Sequence, residues 1–220
     1  MSKVFQSLIG EVVQLEVSGK KLINGIMTDS GSDIIVIYNG KDYMYIPIIH
    51  LKNVQVAIPE TVESQGDSPS ITVDKELSFR KVLTTAKGLF VEIYIAGKQS
   101  VHGYITSVMN NYFVFYSPIY KTMYITLNHL KWLIPYPNHQ RPYGLDHQTF
   151  PVQPSNLPLA RTFEMQVERL TGELVVFNMG EDKGVIGKIN RIEDNIVDLQ
   201  IARDYAVYLN LHHIKSVNKV

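Results

Sequence analysis

The sequence of 220 residues contains no cysteine. Disulfides and thiolate-bound metals are therefore excluded, and the redox compartment is unreadable from this residue. Net charge is also absent, with 21 Lys and Arg against 21 Asp and Glu. A neutral chain has no whole-molecule field with which to grip nucleic acid or an anionic membrane. It also lacks the self-repulsion that keeps proteins apart, which favours association. No apolar run approaches the roughly 18 residues that a membrane helix needs. The opening Met1-Ser2-Lys3-Val4-Phe5 lacks a signal-peptide apolar segment, so a soluble chain without a standard export signal is expected. G-x-S-x-G, H-E-x-x-H and phosphate-loop patterns are missing, and with them any recognisable nucleophile and base. The expectation is a non-enzyme with no catalytic residue, no cofactor, no metal and no evident small-molecule substrate.

What is present points to strands. Apolar residues make up 45% of the chain and tyrosine occurs 13 times. Aromatic and β-branched side chains suit a half-buried pleated surface. The strongest feature is self-similarity. Tyr45-Ile-Pro-Ile-Ile-His50-Leu-Lys52-Asn-Val54 is matched by Tyr124-Ile-Thr-Leu-Asn-His129-Leu-Lys131-Trp-Leu133 and by Tyr208-Leu-Asn-Leu-His-His213-Ile-Lys215-Ser-Val217. Upstream of each stands a glycine in an apolar run (Gly25, Gly103, Gly187), and 15 residues before that another (Gly10, Gly88, Gly172). The copies are 78 and 84 residues apart. That exceeds a solenoid repeat of roughly 20–50 residues, so each copy reads as a small domain.

Inside the first copy, Glu11 to Val17 alternates apolar and polar residues. Gly25 to Asp29, Ile34 to Tyr38, Tyr43 to Ile48 and Asn53 to Val56 are further strand candidates, with a hairpin turn at Asn39-Gly40 and a tight bend at His50. Five short strands punctuated by turns predict a small closed barrel, since closure removes exposed edges. One helical turn is expected to open each copy, at Ser2 to Leu8, at Asp74 to Leu83 behind an Asp cap, and at Phe163 to Leu170. The expected fold is mainly all-β: three tandem five-stranded SH3-like or Sm-like barrels, each opened by a short helix. The expected divisions are barrel repeats at 1–57, 74–136 and 161–220, an acidic linker at 58–73 and a proline-rich linker at 137–160.

Three sets of residues are candidates for a site. His50, His129 and His213 recur at one position. As metal ligands they would have to converge from separate domains, so they read instead as bend residues that hydrogen-bond the backbone. Gly25, Gly103 and Gly187 read as bent strand positions where a side chain would not fit. The third set comes from charge. Residues 77–136 hold six Lys or Arg against the single acid Glu92, whereas 162–220 holds seven basic and nine acidic residues. Lys81, Lys87, Lys98 and Lys131, with Tyr104 and Tyr112 as stacking rings, form a candidate interaction surface. On it rests the alternative reading, an Sm-like RNA-binding protein using its basic second barrel. A further alternative links copies through metal at the histidines of the tract 139–147.

Ser7-Leu-Ile-Gly10 followed by a β-run and a glycine, then Tyr208 to Val217, resembles the repeated region of the outer spore-coat protein B (CotB-type) family of Bacillus-like bacteria. The likeness runs over nearly the whole chain. It implies a structural protein of the spore's outer layers, made in the mother-cell cytoplasm and then placed at the spore surface. Its implied partners are other spore-coat proteins and itself, through multivalent barrel–barrel contacts. Proteins of that type carry a long Ser- and Lys-rich tail that is not found before Val220, so properties resting on such a tail do not carry over.

Overall fold

The computed structural model describes residues 3–57, 70–72, 76–97, 99–137, 142–144, 158–178, 185–203 and 205–220. Over them the protein is all-β with a few short helices. The first repeat contains α1 (Lys3–Gln6), β1 (Val12–Val17), β2 (Lys21–Ser30), β3 (Ile34–Tyr38), β4 (Tyr43–Pro47) and β5 (Leu51–Val56). The second contains α2 (Phe79–Thr85), β6 (Phe90–Tyr94), β7 (Val101–Val108), β8 (Tyr112–Ser117), β9 (Lys121–Thr126) and β10 (Trp132–Pro135). The third contains α3 (Phe163–Glu168), β11 (Leu174–Phe177), β12 (Val185–Glu193), β13 (Ile196–Gln200), β14 (Ala206–Asn210) and β15 (Ser216–Lys219).

Local chemistry accounts for these elements. Along β1, Val13, Leu15 and Val17 are fully buried while the residues between them are half-exposed, as the two-residue period of a strand requires. The second strand of every repeat carries a bulge at one equivalent place: between Met27 and Asp29, between Ile105 and Ser107, and between Ile189 and Arg191. An unpaired extra residue bends the strand and increases its twist. The bend brings backbones together at the preceding glycine. A Cβ on Gly25, Gly103 or Gly187 would lie 2.3, 2.1 or 2.6 Å from a carbonyl oxygen of the neighbouring strand. A single 3-10 turn at Ile48–His50, Leu127–His129 and Leu211–His213 then swings the chain from fourth to fifth strand.

Helix α2 begins at Phe79 behind Ser78, whose hydroxyl accepts from Lys81 N. Asp74, expected as the cap, lies outside the described residues. Thr162 caps α3 in the same way, accepting from Met165 N.

Among the described residues the strands form one antiparallel sheet of 15 strands, in the order β14-β13-β12-β11-β15-β9-β8-β7-β6-β10-β4-β3-β2-β1-β5. Each repeat contributes its strands in the same internal order, fourth-third-second-first-fifth. Among the described residues the fourth and fifth strands of a repeat do not pair with each other. The fourth strand pairs with the fifth strand of the next repeat, β4 with β10 and β9 with β15. Edges that the closed-barrel expectation satisfied within a copy are thus satisfied between copies.

Candidate functional site: the junctions between repeats

Each junction has three layers, and the strand pairing and the helix-to-turn bond fall at equivalent positions in both. The first layer is the strand pair, with Tyr45 opposite Leu133 at one junction and Tyr124 opposite Val217 at the other. These are the same positions of the repeated tyrosine-to-lysine segment. The second layer joins the next repeat's helix to the turn before the third strand. Phe79 N donates to Asp33 Oδ1 at 2.8 Å, and Phe163 N donates to Asn111 Oδ1 at 2.8 Å. Beside them Ser32 N donates to Leu77 O at 3.0 Å and Asn110 N to Arg161 O at 3.2 Å. A side-chain acceptor here satisfies a helix-end N–H that has no partner within its own helix.

The third layer is apolar. Ile34, Val36 and Tyr45 of the first repeat share one buried cluster with Val82 and Leu83 of the second. Tyr112, Val114 and Tyr124 of the second share another with Phe163 and Val167 of the third. Burial is the largest influence on the tyrosine hydroxyls at both junctions. Tyr45, bonded to the backbone of Ile71, has its hydroxyl pushed up to about 12. Tyr112 donates to Ala160 O at 2.7 Å and is likewise pushed up to about 12 by burial. Both are neutral donors across the physiological range.

The first junction adds an aromatic stack. Tyr94 lies on Trp132 with ring centroids 4.0 Å apart, and the Lys21 and Lys131 ammonium groups sit 5.2 and 5.3 Å from the Tyr94 ring.

The sequence-derived candidates fall as follows. His50 Nδ1 lies 3.1 Å from Ser18 Oγ, and Ser18 N donates to His50 O at 2.8 Å, so the bend is tied to the end of β1. Burial, and then the Lys131 charge, holds the His50 imidazole below its ordinary value. His129 is half-buried and His213 exposed. Among the described residues no group of three His, Asp or Glu is placed to hold a metal ion, and the histidine tract 139–147 falls largely outside them. Lys81 Nζ donates to Glu76 O at 2.7 Å, Lys131 is engaged with Tyr94, Lys87 is exposed, and Lys98 lies outside the described residues.

Tyr104 is half-buried, packed edge-on against Phe90 at 5.0 Å. Tyr112 corrects the expectation of an exposed stacking ring: it is fully buried, because the third repeat covers that face of β8. Sequence reasoning missed Asp33 and Asn111 as helix-docking acceptors. The signal available was their equivalent place, one residue before the third strand in both copies.

This geometry is that of a chain built from matching, mutually docked units. Its relatives agree in extent. The chain is 39% identical to uncharacterized protein YwrJ of Bacillus subtilis (strain 168) over 212 residues, which is 94% of either chain. The chain belongs to the YwrJ family. The family model described as YwrJ third domain matches residues 162–217, the third repeat of the sequence. A more distant relative is Spore coat protein B of the same organism, 27% identical over 146 residues. That match covers 66% of this chain and 36% of the coat protein. The CotB-type likeness is therefore distant, and the YwrJ family is the nearer grouping.

Proposed function

We propose that this YwrJ-family protein is a non-enzymatic structural component of the bacterial spore coat that works by assembly. The observation that carries the reading is the similarity to Spore coat protein B over two thirds of the chain. The architecture agrees with it. The positions shared among the repeats are mostly apolar, glycine or turn residues, which specify a fold, and the polar positions are those that vary most. Three units joined in tandem, as barrels or as one continuous sheet, present several surfaces at once, and linked surfaces raise assembly strength through effective concentration. The proposed route is synthesis in the mother cell followed by deposition on the spore, with other coat proteins and further copies of itself as partners. No observation favours RNA binding: one of its rings, Tyr112, is buried, and two of its lysines are held in local contacts.

A fluorescent fusion expressed from its own promoter tests the coat reading. The expected result is signal confined to sporulating cells and retained on purified spores after salt washing. Equal expression in growing cells, with none on spores, overturns it.

A further inference from the structure

Each inner junction consumes one fourth-strand edge and one fifth-strand edge. The strand order leaves one of each unconsumed, β14 at one end of the sheet and β5 at the other. Among the described residues neither outer edge has a strand partner. The docked fifth strands are buried throughout in β10 and over Ser216 to Asn218 in β15, whereas no residue of β5 is buried. The docked fourth strands bury Tyr45 to 2% and Tyr124 to 1% exposure, whereas the equivalent Tyr208 is 65% exposed. The helices repeat the contrast, for Val82 is fully buried at the first junction and its counterpart Val4 is 65% exposed. Unpaired edges flanked by exposed apolar side chains are templates for pairing with another chain.

We propose that copies of this chain join head to tail, with β5 of one copy adding to β14 of the next in the register of the inner junctions. Tyr45 faces Leu133 and Tyr124 faces Val217, so Tyr208 faces Val54 of a second copy. The turn acceptor equivalent to Asp33 and Asn111 is Asn195, exposed at the start of β13. One position differs from the inner pattern. Where Val36 and Val114 are buried, the third repeat has Asp198, paired with Arg191 at 3.5 Å. The outer junction is therefore more polar than the inner ones, and it opens and closes with concentration while they stay shut. Contacts between unlike surfaces close into a ring where the rotation allows and otherwise extend as a filament; either product satisfies the proposal. The contact deepens the assembly part of the function proposed above and does not depend on where the protein resides.

A chain without cysteine offers a clean test, because facing residues of an antiparallel pair are within disulfide range. The double variant Val54→Cys, Tyr208→Cys is oxidised and run on a non-reducing gel. It is compared with Gln55→Cys, Tyr208→Cys, in which the paired side chains point to opposite faces of the sheet. The expected result is a ladder of covalent multimers from the first pair and little from the second. In parallel, sedimentation of the wild-type chain is expected to show concentration-dependent association, weakened at least ~10-fold by Tyr208→Asp. Tyr208 is exposed, so this variant is expected to keep the wild-type thermal transition, and circular dichroism checks that it does. A wild-type chain that stays monomeric at every concentration, or control and register pairs that cross-link equally, overturns the proposal. A protein found on spores yet monomeric by both assays overturns this contact and leaves the coat reading standing.

Discussion

The third strands of the three repeats carry out the same task in two settings. On the inner face they are alike: Ile35 and Ile37 in β3, Phe113 and Phe115 in β8, and Val197 and Leu199 in β13 are all fully buried. On the outer face they part. β3 presents Ile34, Val36 and Tyr38 and β8 presents Tyr112, Val114 and Tyr116, every one buried. β13 presents Ile196, Asp198 and Gln200, all at least partly exposed. The inner face belongs to the repeat's own core, and the outer face is the next repeat's floor. A strand covered on both faces reads as a continuous apolar run, and one covered on a single face alternates. The difference teaches that the junctions are sequence-specified interfaces, with the terminal face tuned to spend time in water.

Exchanging the residues at one outer-face position breaks this comparison most severely. Val114→Asp places a carboxylate at a site of 2% exposure with apolar neighbours. An unpaired buried charge is expected to cost about 3 kcal/mol or more. The reverse change, Asp198→Val, removes a pair to an Arg191 that is itself 68% exposed, and is expected to move stability by less than about 1 kcal/mol. Urea midpoints of the two variants check this. Equal shifts would mean that the second junction contributes no more than the open end.

Truncating the repeated tyrosine sharpens the same contrast with a smaller step. Tyr124→Ala empties a site of 1% exposure and is expected to cost about 3 kcal/mol. Tyr208→Ala, at 65% exposure, is expected to stay within about 0.5 kcal/mol in the monomer. Thermal unfolding at low protein concentration separates the two, because dilution removes any contribution from association.

Much of the repeat unit was legible in the sequence, and little of the junction was. Strand positions follow from alternation and turns, which are local. The bend glycines follow from their recurrence in an apolar run upstream of each repeated segment, and the His50 bend from the segment that recurs around it. Pairing of β4 with β10 brings together Tyr45 and Leu133, further apart in sequence than one whole repeat spacing, and no local period reports it. Tyr112 shows the resulting error. In a chain of isolated barrels a strand-opening tyrosine of the basic repeat reads as exposed, but docking of the third repeat buries it. A trace did exist, since the runs Ile34 to Tyr38 and Tyr112 to Tyr116 are too apolar for a strand wetted on one face. Ser78 was missed as a cap because the more acidic Asp74 upstream offered the same signal.

The helix-to-turn bond gives a finer test. Asn111 accepts from Phe163 N at 2.8 Å and also donates to the Glu164 carboxylate at 3.1 Å. Asn111→Ala leaves that helix-end N–H without its acceptor and is expected to cost about 1 kcal/mol. Asn195→Gly, which removes the same amide at the equivalent exposed turn while tolerating its φ of +63°, is expected to change monomer stability by less than about 0.5 kcal/mol. Hydrogen exchange at Phe163 N reads the local effect directly.

Alkaline pH probes the junctions with the gentlest change. Tyr45 and Tyr112 have hydroxyls raised from 10.0 to about 12, in both cases chiefly by burial. The folded state thus favours the neutral phenol more strongly than the unfolded chain does. That preference contributes its full stability below pH 10 and is lost as pH rises from 10 towards 12. Unfolding midpoints are therefore expected to fall across this window. Tyr112→Phe removes the titrating group along with its bond to Ala160, so it should begin less stable at pH 8 and lose less between pH 10 and 12. If the variant and the wild-type chain decline in parallel, ionisation at the second junction is not what drives the loss, and the burial of Tyr112 by the third repeat is weaker than its geometry indicates.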